Sequence, residues 1–114
     1  MERTYNVTVA GLGYVGMSIA VLLARRHRVV AFDISPDRIE KVNAGRATVA
    51  DAEMEKVLQE EQLNLQGTLD PEAAFSGADF IIVGAPTNYD ERAHYFDTSA
   101  VESVIRQARK ATNL

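Results

Sequence analysis

The stretch Val7-Thr8-Val9-Ala10-Gly11-Leu12-Gly13-Tyr14-Val15-Gly16 decides the fold. Val7 and Val9 alternate with smaller or polar neighbours, which predicts a strand over residues 5–10 that runs straight into glycine. Behind the glycines, Val15, Ile19, Leu22 and Leu23 recur at i, i+4, i+7 and i+8. That spacing predicts a helix over 14–26 with these four side chains on its buried face. The basic cluster Arg25-Arg26-His27 then complements the negative end of the helix dipole.

Gly11, Gly13 and Gly16 form G-x-G-x-x-G between a strand and a helix. In that setting each glycine has its own task. Gly11 makes the tight turn, Gly13 lets the backbone approach a pyrophosphate, and Gly16 lets the helix pack against the strand. The free N–H groups at Tyr14 and Val15 sit at the positive end of the helix dipole, where phosphates bind. The apolar run at 29–32 predicts a second strand, buried on both faces and followed by Asp33. A carboxylate there accepts hydrogen bonds from ribose hydroxyls and repels a 2′-phosphate, so NAD is favoured over NADP. Arg38 bears on that preference in either direction. It can accommodate a 2′-phosphate, or it is a surface arginine paired with Asp37 or Glu40.

Further along, Ser35-Pro36 opens a helix that stops near Gly45, and Asp51 caps another. In the latter, Glu53, Glu55, Glu60 and Glu61 read as a solvated face. Residues 63–68 suggest a weak strand, and Asp70-Pro71 opens a short helix closing at Ser76-Gly77. Residues 80–83 are the clearest buried strand, broken by Gly84-Ala85-Pro86-Thr87. Small residues at 84 and 85 would admit a planar ring, and Pro86 and Thr87 are candidate cofactor contacts. A polar loop is expected over 88–97, then a helix with a Ser99-x-x-Glu102 capping box. Tyr14, Tyr89, Tyr95 and Phe96 read as packing residues, and His27 and His94 as exposed histidines outside any metal-ligand pattern. No catalytic residue is assigned.

Strands alternating with helices predict an α/β fold: a Rossmann-like, doubly wound parallel sheet of about four strands in order 3-2-1-4. The 114 residues fit one domain. The chain contains no cysteine, so it offers no disulfide, thiolate metal site or cysteine nucleophile. A net charge of −4 without a basic stripe argues against nucleic acid. The longest fully apolar stretch, 19–24, is far short of the ~20 residues that span a bilayer, and no basic-then-apolar leader opens the chain. No membrane association and a cytoplasmic location are the expectations.

The segment from Val9 to Ser18 resembles the opening of the UDP-glucose 6-dehydrogenases. The likeness continues through Asp33 and Arg38, and sharpens at Ala85-Pro86-Thr87-Asn88-Tyr89-Asp90 and at Tyr95-Phe96-Asp97-Thr98-Ser99. This resemblance implies an NAD-binding domain in an enzyme that oxidises UDP-glucose twice to UDP-glucuronate. It implies that the Val15 backbone meets the pyrophosphate, Asp33 and Arg38 the adenosine side, and Thr87 the nicotinamide side. Two departures are Gly84-Ala85, where relatives often carry a bulkier pair, and His94, where asparagine is usual.

The family's enzymes run to several hundred residues and use a cysteine on a later domain as covalent nucleophile. Residues 1–114 are therefore expected to be an incomplete N-terminal NAD-binding piece that binds NAD without catalysis. Its fourth strand is expected to present an open apolar edge and to self-associate there. Two other readings stay open. One is a stand-alone nucleotide-sensing module, like the small Rossmann regulators of potassium transport. The other is the NAD domain of a dehydrogenase acting on another nucleotide sugar or a hydroxy acid.

Overall fold

Four parallel strands carry the centre of the molecule: β1 (Asn6–Ala10), β2 (Arg28–Phe32), β3 (Leu65–Thr68) and β4 (Phe80–Val83), in the order β3-β2-β1-β4. The computed structural model describes residues 4–84, 88–90, 95–97 and 99–112. Between the strands run α1 (Tyr14–Ala24), α2 (Pro36–Asn43), α3 (Ala52–Glu60) and α4 (Pro71–Phe75). A short antiparallel pair, β5 (Asn88–Asp90) and β6 (Tyr95–Asp97), precedes α5 (Ser99–Thr112). Fold class and strand order agree with the sequence reading.

Alternation along β1 divides the core into two layers. Val7 and Val9 face Met17, Ala20, Val21, Ile39, Val42 and Met54 of α1, α2 and α3. Ala10 belongs to the opposite layer, with Phe32, Phe75 of α4 and Val104 of α5. Thr8 shares the side of Ala10 as a buried polar residue, and its hydroxyl donates to the carbonyl of Ala74. The short polar caps appear where expected. The Ser35 hydroxyl accepts from Arg38 N, the Asp51 carboxylate from Met54 N, and the Asp70 carboxylate from Glu72 N.

Several elements differ from the expectation. α1 ends at Ala24 and buries Gly16, Met17, Ala20, Val21 and Ala24, whereas Val15 and Leu22 are each 63% exposed. Gly16, Ala20 and Ala24, four residues apart, let the helix lie close to the sheet, and Met17 and Val21 are buried on the same face. An apolar helix without a charged residue gives hydropathy little with which to choose that face. Tyr14 is likewise exposed and not a packing residue. The loop expected over 88–97 contains the β5–β6 pair, in which Tyr89 stands opposite Phe96. β4 is less buried than its sequence suggests, with Phe80 exposed and residues 81–83 half-buried.

His27 is half-buried. Its Nδ1 accepts the backbone N–H of Tyr5 at 3.2 Å, and its ring lies 5.6 Å from that of Tyr5. The acidic residues in and just after α3 are not simply a solvated face. Glu61 pairs with Arg25 through two 3.0 Å contacts, and Glu55 pairs with Arg46 at 3.4 Å.

At the outer side of β3, the side-chain amide of Asn43 pairs with the Gly67 backbone. Asn43 Oδ1 accepts Gly67 N–H at 2.8 Å, and Asn43 Nδ2 donates to Gly67 O at 3.2 Å.

Candidate functional site

Strand register brings the site together. Ala10 stands beside Phe32 on one side and Val83 on the other, so Gly11, Asp33 and Gly84 leave the sheet side by side. The chain turns out of β1 at Gly11, whose φ of 98° is a conformation that favours glycine. Gly11 N–H still reaches back to Phe32 O at 2.8 Å, and Gly84 N–H reaches Ala10 O at 2.6 Å.

Two of the three glycines have the structural tasks their spacing predicts, Gly11 in the turn and Gly16 in the close packing. A Cβ on Gly16 would lie 1.8 Å from the carbonyl oxygen of Gly11, so only glycine allows α1 to start this close to β1. A Cβ on Gly13 would meet nothing within 4 Å, which leaves open space beside the backbone for a ligand. Gly84 belongs to the same packing. Its Cβ would lie 2.9 Å from Gly11 O and 3.0 Å from Gly16 Cα. Its small size therefore serves the turn itself.

The start of α1 is chemically unlike those of α2, α3 and α4. Those three carry a side-chain cap and an acidic first turn. α1 has Gly13 as N-cap, no side-chain cap and no acid in its first turn. Its first N–H groups are left to an external acceptor, and no carboxylate in that turn repels an anion.

Asp33 is 5% exposed and holds the turn directly. Its Oδ2 accepts Leu12 N–H at 2.8 Å and Arg38 Nη1 at 3.1 Å, while Oδ1 accepts Ser35 N–H at 2.9 Å. Arg38 thus pairs with Asp33. Asp37 instead binds Lys41 at 3.3 Å. A carboxylate oxygen has two acceptor positions, so Oδ1 retains capacity for a hydroxyl.

A cleft of about 660 Å³ gathers these residues. Gly11, Gly13, Tyr14, Val15, Asp33, Arg38, Val83 and Gly84 line it, together with Ile34 and with Ser103, Val104 and Gln107 of α5. Ile34, Ser103 and Gln107 were not picked out from sequence. Ile34 did carry a signal, as a large apolar side chain directly after the acidic residue. In the fold it is 83% exposed. Ser103 and Gln107 are ordinary polar positions on a helix until the fold turns that helix toward the cleft. Pro86 and Thr87 lie outside the described residues.

An open glycine, a bare helix start and a partly engaged carboxylate at the strand ends fit a dinucleotide, with pyrophosphate at α1 and a ribose at Asp33. Among the described residues, no cluster of His, Cys, Asp or Glu could hold a metal, and no helix is long and apolar enough to cross a membrane.

Comparison with known proteins agrees with this chemistry. The NAD binding domain model of the UDP-glucose/GDP-mannose dehydrogenase family matches residues 5–113. UDP-glucose 6-dehydrogenase of Streptococcus pneumoniae is 42% identical over 101 residues, which cover 89% of this chain and 26% of that protein. UDP-glucose 6-dehydrogenase of Campylobacter jejuni is 30% identical over 106 residues, covering 91% of this chain and 27% of that one. The chain thus spans about a quarter of the length of these relatives. Among solved structures, a UDP-glucose dehydrogenase from Pyrobaculum islandicum superposes with a TM-score of 0.87 at 28% identity, over 96% of this chain and 26% of that one. A GDP-mannose dehydrogenase ternary complex from Pseudomonas aeruginosa gives 0.84 at 29% identity, over 92% and 24%. The chain belongs to the UDP-glucose/GDP-mannose dehydrogenase family, within which it corresponds to the NAD-binding domain.

Proposed function

We propose that residues 1–114 are the cofactor-binding part of a longer cytoplasmic enzyme that oxidises UDP-glucose to UDP-glucuronate. The observation that carries this reading is the bare N-terminus of α1 beside the open Gly13, with Asp33 at the neighbouring strand end. The 42% identity to a UDP-glucose 6-dehydrogenase supports UDP-glucose as the substrate class.

In this reading the backbone at Gly13, Tyr14 and Val15 binds the pyrophosphate. Asp33 accepts the adenosine ribose hydroxyls, and Arg38 flanks the same side while holding the Asp33 carboxylate in place. Pro86 and Thr87, beyond β4, contribute on the nicotinamide side. Bound NAD supplies the hydride acceptor. The chain itself binds and orients the cofactor. It has no cysteine to form the thioester of a second oxidation, so the isolated chain binds NAD without turnover. Self-association through the outer side of β4 completes the proposal.

Calorimetric titration of the chain with NAD and with NADP tests the site. NAD is expected to bind the more tightly, because the Asp33 carboxylate repels a 2′-phosphate. Equal affinities would remove the role given to Asp33. Steady NADH production from UDP-glucose by this chain alone would overturn its assignment as a binding part. Comparing UDP-glucose with GDP-mannose as substrates of the full-length enzyme tests the substrate.

A further inference from the structure

We infer that Thr48 is a positioning residue for the phosphate-binding turn, an inference that rests on the NAD reading above. Leu12, between the first two glycines of the turn, is fully buried and held from both ends. Asp33 accepts its N–H, and the Thr48 hydroxyl donates to its carbonyl at 2.7 Å. Thr48 lies 36 positions away, in the connection between α2 and α3.

That connection is fixed without help from the turn. Arg46 N–H donates to Lys41 O at 2.8 Å, and Glu55 Oε1 accepts Ala47 N–H at 3.1 Å. Glu55 also pairs with Arg46, and the Ala47 side chain is buried. Thr48 therefore reaches Leu12 from an anchored base.

The consequence follows from peptide geometry. The Leu12 carbonyl and the Gly13 N–H belong to one planar peptide unit, which is trans, so they point in opposite directions. Fixing the carbonyl fixes the direction of the Gly13 N–H, and Gly13 lines the cleft. A hydrogen bond accepted by the carbonyl also polarises the N–H of the same unit into a stronger donor. Thr48 thus acts on phosphate binding through the backbone without touching the ligand.

The test compares a ligand that carries the pyrophosphate with one that lacks it. In NMR titrations, Thr48→Val should weaken ADP-ribose binding roughly three- to tenfold, the equivalent of one hydrogen bond, and leave adenosine binding unchanged. Thr48→Ser, which keeps the hydroxyl, should restore ADP-ribose affinity. Thr48→Ala is the second variant, in case the valine branch disturbs folding beside the Leu12 carbonyl. Equal weakening of both ligands, no weakening of either, or failure of serine to rescue would overturn the proposal. A parent chain that binds neither NAD nor ADP-ribose would overturn the cofactor reading, and this inference with it. A parent chain that binds both, with variants that bind as well, overturns the inference alone.

Discussion

The buried carboxylate of Asp33 accepts the backbone N–H of Leu12 at 2.8 Å, tying the end of β2 to the turn after β1. One side chain therefore serves both the fold and the proposed ribose contact. Asp33→Asn places an amide N–H₂ against either Leu12 N–H or Ser35 N–H, and it removes the charge partner of Arg38. A stability loss of about 1–3 kcal/mol is expected in urea denaturation, since a buried donor loses its acceptor. NAD binding should fall in the same variant, read by calorimetry below its melting range.

Gly16 and Gly13 should separate folding from binding. Gly16→Ala drives a methyl into the Gly11 carbonyl and should cost about 3 kcal/mol or more, because backbone has to move on both sides. Gly13→Ala meets open space, so its cost should stay at about 1 kcal/mol, the scale of an altered N-cap. The added methyl occupies the ligand's approach, and NAD binding should be lost. Thermal melts paired with NAD titrations of the two variants check this contrast.

Arg38 is 42% exposed, and its pair with Asp33 lies partly in solvent. Arg38→Met should change stability by less than about 1 kcal/mol. If Arg38 flanks the adenosine side, the same variant binds NAD more weakly at nearly unchanged melting temperature. Unaltered NAD affinity would confine Arg38 to holding Asp33.

β4 lies at one side of the four-stranded sheet, with Phe80 exposed. Concentration-dependent association through it should be seen by light scattering, and Ile81→Lys should reduce it by placing charge on the strand. A constant monomeric mass at high concentration would overturn the proposed contact.

The strand, the glycine spacing and the place of Asp33 were legible in sequence because each rests on local pattern, and the strand order followed from the alternation of strands and helices along the chain. Alternation marks a strand, and glycine marks a turn that needs positive φ or close approach. The inward face of α1 was not legible. Val15 and Leu22 are as apolar as Met17 and Val21, and the close approach to the sheet at Gly16, Ala20 and Ala24 decides which face turns inward. Nor was the purpose of Gly84, since its nearest neighbours, Gly11 and Gly16, lie far off along the chain. From sequence, Arg38 reads either as a partner for a 2′-phosphate or as a surface arginine paired with Asp37 or Glu40. The turn after β2 instead presents Asp33 to it. Thr48 gave no signal, because a threonine in a loop looks the same whether or not its hydroxyl finds a distant carbonyl.

Asn43 gives the sheet a direction of growth. Its amide offers Gly67 a donor and an acceptor, as a neighbouring strand would, and so occupies the outer side of β3 at that residue. A second copy cannot add there in register without displacing it. The proposed pairing through β4 would then be reciprocal, β4 against β4 across a two-fold axis, and would occupy the outer side of β4 in both partners. If copies of this chain pair through β4 as proposed, assembly of this sheet would stop at a closed dimer and would not propagate into a fibre.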